Sequence, residues 1–296
     1  MKCIILGFDG LEYNSVEKHN LNHLKQKEYG KTTIPKECFV KVNYFGKERM
    51  EPFTPLIWSS FLTGKLPEQH GVTRSTFIKW ENSIVQTLKV VSSKIGLGRI
   101  QGKRKILEKI GFKRRGWQKS DYSVPTIFDL TEKSIQINVP TIDEKWTIQL
   151  FPEVSNEENF DIVMKKSLDY QWEMFLKIKN QAFQKINEDW NLFMLWTKLL
   201  DTYGELLIEN ENELLKAYQE CDDFVRDIKR RVDDAFILIV SDHGIEKLED
   251  TKFGKHSTYG FYSSNISLGL NNPLITDFYE VISMYLRKKE DNRRGS

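Results

Sequence analysis

The most informative residues of this 296-residue chain are acids and histidines in ordered contexts, together with one threonine. Carboxylates and imidazoles are ligands that divalent metals such as Zn²⁺ and Mn²⁺ take in proteins. Two such ions about 4 Å apart can clamp the attacking and leaving oxygens of a phosphoryl displacement. A threonine hydroxyl beside such an ion becomes a nucleophile near neutral pH, because the ion lowers its pKa. The candidates are Asp9, Thr54, Asp201, Glu205, Asp242, His243 and His256.

Three of these acids follow continuous apolar runs, the pattern of strands buried on both faces of a parallel sheet. The runs cover residues 3–8, 191–197 and 235–240, and the acids that follow them are Asp9, Asp201 and Asp242. Ligands of open α/β sheets bind beyond the carboxyl ends of the strands. We therefore expect the three acids to meet in one site.

Helical patterns alternate with the apolar runs. They cover residues 55–63, 157–188, 209–232 and 274–286, and Pro55 suits an early helical position because its missing N–H is not needed there. Alternation of strands and helices predicts a three-layer α/β/α sandwich. We expect one domain over residues 1–296, with a cap or insertion within approximately residues 75–188.

A basic segment over residues 89–119, the basic lobe, interrupts this alternation. It holds eleven Lys or Arg residues against one acid, Glu108. Four interpretations stay open for it: a solvated amphipathic face, steering of an anionic substrate, contact with nucleic acid, and attraction to a membrane surface. No recognised nucleic-acid module supports the third. The net charge of the whole chain is only +2, which excludes a global field that drives it onto such partners.

Cysteine usage and hydropathy indicate the compartment. The three cysteines, Cys3, Cys38 and Cys221, are an odd number at no metal-like spacing, which is typical of a reducing, intracellular setting. The apolar run at the start is too short for a signal peptide, and no run reaches the length of a membrane span. We expect a soluble, cytoplasmic protein without a transmembrane segment. Nothing in the sequence indicates its oligomeric state.

The candidate residues lie in segments that resemble motifs of the alkaline phosphatase superfamily and follow one another in the same order along the chain. Within this superfamily they resemble the prokaryotic members of the type I phosphodiesterase/nucleotide pyrophosphatase branch. Gly7-Phe8-Asp9-Gly10 resembles the first metal-binding strand end, and residues 54–71 resemble the nucleophile segment. Val240-Ser-Asp-His-Gly244 resembles the paired Asp-His motif. Residues 254–256 are similar to the loop that carries the last metal histidine. Residues 137–141 are similar to a segment that precedes the cap. The resemblance spans residues 4 to about 265.

The resemblance implies the alkaline phosphatase type of sandwich and a metal-dependent phosphohydrolase, first of all a phosphodiesterase or nucleotide pyrophosphatase. Thr54 would be the nucleophile and would form a phosphothreonine intermediate. Two divalent ions are implied, Zn²⁺ or Mn²⁺ or a mixed pair. One ion would lie among Asp9, Thr54, Asp242 and His243, and the other among Asp201, Glu205 and His256. The implied substrate is small and phosphorylated, with a nucleotide favoured.

Two positions depart from the pattern of this branch. It usually carries Asp-x-x-Gly-His, whereas this chain has Asp201-Thr-Tyr-Gly-Glu205. A glutamate adds a negative charge and a harder oxygen donor, which favours Mn²⁺ or a mixed pair over two Zn²⁺ ions. Ile57 stands where nucleotide pyrophosphatases commonly place an asparagine that contacts the phosphate, so one donor is missing.

Several alternatives stay open at this level. Thr54 could only cap the helix that follows it, a common role of threonine, and Glu205 could be an ordinary residue of a helix surface. His70 fits a structural role, and the residues that bind substrate are not indicated. The alternative functions that stay open are those of a phosphomonoesterase, a phosphotransferase, or a weakly catalytic binder of phosphorylated ligands or nucleic acid. A sulfatase is disfavoured because the chain lacks a Cys/Ser-x-Pro-x-Arg segment.

Overall fold

The computed structural model describes residues 2–44, 47–74, 78–80, 114–143, 159–232 and 234–294. The strands in this part of the chain are β1 (Lys2–Phe8), β2 (Glu28–Thr33), β3 (Phe39–Tyr44), β4 (Lys47–Pro52), β5 (Ile78–Trp80), β6 (Arg114–Gly116), β7 (Ser134–Ile137), β8 (Leu192–Thr197), β9 (Ala235–Ser241), β10 (Ile245–Lys247), β11 (Gly254–His256) and β12 (Tyr259–Ser264). Six of them form a central sheet in the order β2-β12-β9-β1-β8-β7. Strands β7, β8, β1 and β9 are parallel, and β12 is antiparallel to β9 and β2.

The central strands are apolar at nearly every position because both faces of the sheet are covered. Successive side chains of a strand point to opposite faces. On β1, Ile4 and Leu6 therefore pack into one apolar core, and Cys3 and Ile5 pack into another. This two-sided burial is the arrangement that the continuous apolar runs predict.

Helices cover both faces of the sheet. They are α1 (Tyr13–Lys18), α2 (Thr54–Thr63), α3 (Pro67–His70), α4 (Phe160–Lys185), α5 (Leu199–Leu207), α6 (Glu211–Lys229) and α7 (Asp277–Arg294). The first core contains Phe175 of α4 and Phe224 of α6, and the second contains Trp58 of α2 and Phe278 of α7. The predicted three-layer α/β/α sandwich is confirmed.

Two helix boundaries differ from the predicted ones for local reasons. The helix expected over residues 209–232 begins at Glu211, because the Asn210 side chain accepts a hydrogen bond from the Glu213 N–H and caps it. A separate helix, α5, precedes it. The last helix begins at Asp277, whose carboxylate accepts a hydrogen bond from the Leu274 N–H.

The segment in which an insertion is expected is described only in part. Its described residues include β7, which belongs to the central sheet, and α4, which packs against it. Residues 81–113, most of the basic lobe, lie outside the described residues.

All three cysteines are buried and form no disulfide, and they pack in the interior as small apolar side chains do. Among the described residues, no helix has the length and apolar character needed to cross a membrane.

Candidate metal centre

Three neighbouring strands, β9, β1 and β8, deliver the predicted acids to one edge of the sheet. Asp9 directly follows β1, Asp242 directly follows β9, and Asp201 lies in the first turn of α5 beyond β8. Gly10 permits their close approach, because a Cβ at this position would lie 2.5 Å from the Cα of Asp201. Its φ of +73° also favours glycine. The three acids are buried together, as the sequence predicts.

His243 joins Asp9 and Asp242 in a buried group. Nε2 of His243 lies 3.2 Å from Asp9 Oδ1 and 3.4 Å from Asp242 Oδ2. On its other side, Nδ1 lies 3.1 Å from the carbonyl oxygen of Gly244. A carbonyl oxygen only accepts, so Nδ1 carries a proton and donates it. In the neutral imidazole Nε2 then has a free lone pair, which is the arrangement of a metal-binding histidine.

His256 forms a second group with Asp201 and Glu205. Its Nε2 lies 3.4 Å from Asp201 Oδ1 and 3.3 Å from Glu205 Oε1. Its Nδ1 donates to the Pro52 carbonyl oxygen at 3.1 Å, so this imidazole also offers Nε2 to the carboxylates. The rings of His256 and His243 are stacked, with centroids 3.6 Å apart. The two groups are therefore adjacent parts of one cluster, the acid–imidazole cluster: Asp9, Asp201, Glu205, Asp242, His243 and His256.

Buried oxygens of this cluster lack hydrogen-bond donors. Both carboxylate oxygens of Asp9 and of Asp242, and Oδ1 of Asp201, have no hydrogen-bond donor in the described part of the chain apart from the ion-pair contacts with Nε2 of His243 and His256. Buried charges are normally paired or bind metals, because an unpaired buried charge is costly. Divalent cations would supply the missing partners. The residues present therefore fit two divalent cations, one beside Asp9, Asp242 and His243 and the other beside Asp201, Glu205 and His256.

The protonation of the cluster reflects its crowded negative charge. Burial and the nearby Asp9 carboxylate raise the pKa of Asp242 to about 8. Burial by itself would lower the pKa of both histidines, but Asp242 raises the pKa of His243, and Asp201 and Glu205 raise that of His256 well above its usual value. Metal binding displaces such protons, so the affinity of this cluster for cations should increase with pH.

Thr54 lies at the edge of the cluster, as the first residue of α2. Its Oγ1 is 3.4 Å from His243 Nε2. The alternative that Thr54 caps the helix is wrong, since Phe53 is the N-cap residue and no side chain caps this end. Ile57, one turn further on, packs in the second apolar core and offers no polar contact.

Lys198, which the sequence patterns do not indicate, is buried beside the cluster. Its ammonium group forms an ion pair with Oδ2 of Asp201, and its side chain is only 14% exposed. Burial would lower the pKa of Lys198, but the charges of Asp201, Asp9 and Glu205 raise it, so the group stays protonated. Its position three residues before Asp201, on the same helical face, was the available signal.

His70 belongs to a different polar group, the hydroxyl cluster, made of Ser59, Ser60, His70, Tyr122 and Thr141. Nδ1 of His70 accepts a hydrogen bond from the Val72 N–H at 3.1 Å, and Nε2 lies 3.2 Å from Ser60 Oγ. The Tyr122 hydroxyl lies 2.8 Å from Ser59 Oγ and 2.5 Å from Thr141 Oγ1. Burial lowers the pKa of His70 to about 4. This histidine is structural, as expected.

A family model described as type I phosphodiesterase / nucleotide pyrophosphatase matches residues 3–260. The chain belongs to this family. The matched range includes Thr54 and the whole acid–imidazole cluster, and it confirms the resemblance that the motifs carry. The enzymes of this family are hydrolases of phosphoester or pyrophosphate bonds, the class that the motifs predict.

Similar solved structures include the murine and human ectonucleotide pyrophosphatase / phosphodiesterase 5. The murine structure is 14% identical with a TM-score of 0.43, and the match covers 84% of this chain and 59% of that one. The human structure is 15% identical with a TM-score of 0.42, over 84% of this chain and 58% of that one. An inactive variant of the murine protein, in complex with AMP, is 13% identical with a TM-score of 0.41, over 84% and 59%. No curated protein matches the chain.

Proposed function

We propose that this chain is a metal-dependent hydrolase of phosphodiesters or nucleotide pyrophosphate bonds, with Thr54 as its nucleophile. The observation that carries the proposal is the place of Thr54, whose hydroxyl lies 3.4 Å from His243 Nε2, which itself lies 3.2 Å from Asp9 Oδ1 and 3.4 Å from Asp242 Oδ2. Membership of the family supports the reaction class, and its name favours a nucleotide as the substrate. The chain spans 59% of the murine structure.

Two divalent cations are the cofactors of this proposal. Asp9, Thr54, Asp242 and His243 would hold one cation, and Asp201, Glu205 and His256 would hold the other. Bound cations would lower the pKa of an adjacent hydroxyl and offset the negative charge that develops on the phosphoryl oxygens. The carboxylate of Glu205 is a harder ligand than an imidazole, which favours Mn²⁺ or a mixed pair over two Zn²⁺ ions.

The reaction proceeds in two displacements at phosphorus. Thr54 Oγ1 bonds to phosphorus and gives up its proton to water, while the bond to the leaving oxygen breaks and that oxygen takes up a proton from water. The products are the released first product and a phosphothreonine that still carries the other group of the substrate. Water then attacks phosphorus on this intermediate, the bond to Thr54 breaks, and the hydroxyl regains a proton. Because Thr54 is the first residue of α2, the backbone N–H groups at this helix end favour the negatively charged phosphoryl group.

The extent of the domain, the position of the cap and the role of the basic lobe are proposed from sequence patterns. The metallohydrolase domain extends over residues 1–296, and its cap lies within approximately residues 75–188. The basic lobe is either a solvated amphipathic face or a surface that attracts anionic substrates. The cytoplasmic location also stays a prediction from cysteine usage. Binding of nucleic acid by the basic lobe is a less favoured alternative, because no motif supports it.

A substrate panel with the metal-loaded protein tests the proposed function. We expect hydrolysis of a chromogenic phosphodiester or of a nucleoside triphosphate with Mn²⁺ or Zn²⁺, and a decrease of kcat by at least about 10³-fold in Thr54→Ala with unchanged metal content. Thr54→Ser is the matched control, since it keeps a hydroxyl and should retain activity. Preferential hydrolysis of monoesters would favour a phosphomonoesterase, and undiminished turnover by Thr54→Ala would exclude Thr54 as the nucleophile.

A further inference from the structure

Lys198, Asp201 and Glu205 share one face of the polypeptide at the start of α5. Lys198 is the N-cap residue of this helix, Asp201 is three residues on, and Glu205 is four residues beyond that. Residues three, four and seven apart lie on the same side of a helix. The Lys198 ammonium contacts Asp201, and Glu205 is connected to Asp201 through Nε2 of His256.

Helix electrostatics do not explain a buried lysine at this place. The N-terminus of a helix carries a partial positive charge, so a cation is disfavoured there and an anion is favoured. A buried ammonium is also costly unless it is paired. The compensation comes from the acids, because Asp201, Asp9 and Glu205 all act on the Lys198 charge.

The two oxygens of Asp201 have different partners. Oδ2 is held by Lys198, whereas Oδ1 lies 3.4 Å from His256 Nε2 and has no other donor among the described residues. Lys198 therefore occupies one oxygen of this carboxylate and leaves the other on the side of His256, where the two residues would hold a divalent cation.

Charge counting shows what Lys198 does to the cluster. The four carboxylates of Asp9, Asp201, Glu205 and Asp242 would carry four negative charges when a metal is bound, and Lys198 reduces the sum to three. Glu205 stands where the family usually has a histidine, an exchange that adds one negative charge. Lys198 supplies one positive charge on the same face of the helix.

We propose that Lys198, through its contact with Asp201, offsets the negative charge that Glu205 adds to the site. This role rests on the proposed metal binding, although the charge compensation itself also exists in the metal-free protein. In this chain the pair Lys198 and Glu205 sets the affinity of the site for divalent cations.

A double-substitution experiment tests the pair through metal affinity. Lys198→Met removes the positive charge but keeps the length of the side chain, so we expect Mn²⁺ to bind at least about tenfold more tightly. Glu205→Gln should weaken binding by a similar factor, and the double variant should bind within about threefold of the unmodified protein. Lys216→Met, which removes an exposed lysine paired with Glu213 at the same i,i+3 spacing, should leave affinity unchanged.

The melting temperature of the metal-free variants is the second measurement. Lys198→Met should lower it, since a buried acid loses its partner, and Glu205→Gln in the same chain should recover at least half of the loss. Weaker or unchanged Mn²⁺ affinity in Lys198→Met, or no recovery of the melting temperature, would overturn the role of Lys198. If the unmodified protein binds no divalent cation, the proposed function fails, and the melting temperatures alone then decide on the charge pair.

Discussion

Helix α2 connects two buried polar clusters that differ in how their polar atoms are paired. At its first residue, Thr54 meets the acid–imidazole cluster, in which five buried carboxylate oxygens have no donor among the described residues other than the two imidazoles. In its middle, Ser59 and Ser60 enter the hydroxyl cluster, whose hydroxyl and imidazole groups bond to one another. Both clusters are buried, so burial of polar groups does not by itself distinguish a reactive site from a structural one.

The histidines show the difference most clearly. His70 uses both ring nitrogens within the protein, as an acceptor from Val72 and as a partner of Ser60. His243 and His256 each donate Nδ1–H to a carbonyl oxygen and leave Nε2 among carboxylates. A buried histidine whose Nε2 faces several carboxylates fits a metal ligand, whereas one whose two ring nitrogens both bond to neutral groups stabilises the fold.

The largest expected difference between the two clusters is the loss of unfolding free energy when the pH is lowered, which His70 of the hydroxyl cluster should cause. The pKa of His70 falls from 6.5 to about 4 on folding, so between these values the unfolded chain takes up a proton that the folded chain does not. The contribution to stability is therefore complete above pH 6.5 and is lost as the pH falls towards 4, with a total of about 3 kcal/mol. Unfolding free energies of His70→Gln, measured from pH 4.5 to 7, should show a shallower pH dependence than those of the unmodified protein.

His23→Gln is the control for this measurement, because it removes a partly exposed histidine. An identical slope in His70→Gln and in the unmodified protein would show that His70 is not held neutral, and the contrast between the two clusters would lose its main support.

A smaller effect is expected at Tyr122. Tyr122→Phe removes a buried hydroxyl that bonds to Ser59 and Thr141, and these groups then lose a partner, which should cost about 1–2 kcal/mol of stability. Metal affinity should not change, because the hydroxyl cluster holds no ligand. Chemical denaturation gives the first quantity and metal titration the second, with Tyr170→Phe as a control on a half-buried tyrosine. A decrease in metal affinity would show that the clusters are coupled.

The acid–imidazole cluster could be predicted because its residues follow strong local patterns. Apolar runs before Asp9 and Asp242 indicate buried parallel strands, and such strands place the residues after them at one edge of the sheet. β9, β1 and β8 are indeed neighbours. Strand β7 is not predicted because its alternation of polar and apolar residues covers only the four positions 134–137, too few to distinguish a strand from a loop.

The hydroxyl cluster and Lys198 could not be predicted in this way. Ser59 and Thr141 are 82 residues apart and meet only through tertiary packing. Thr141 also has a φ of +60°, which is rare for a β-branched residue and is maintained by its surroundings. For Lys198, the sequence shows its place on the helix but not its burial, and burial is what turns an ordinary lysine into a partner of the site.

The most direct test of the central claim is the number of divalent ions that the purified chain retains. After equilibration with Mn²⁺ or Zn²⁺ and removal of free ions, elemental analysis should find two ions per chain. Asp242→Asn should lose at least one of them, whereas Ser60→Ala, a change in the hydroxyl cluster, should retain both. Absence of bound ions from the unmodified protein, or full metal content in Asp242→Asn, would contradict the assignment of the acid–imidazole cluster as a metal centre.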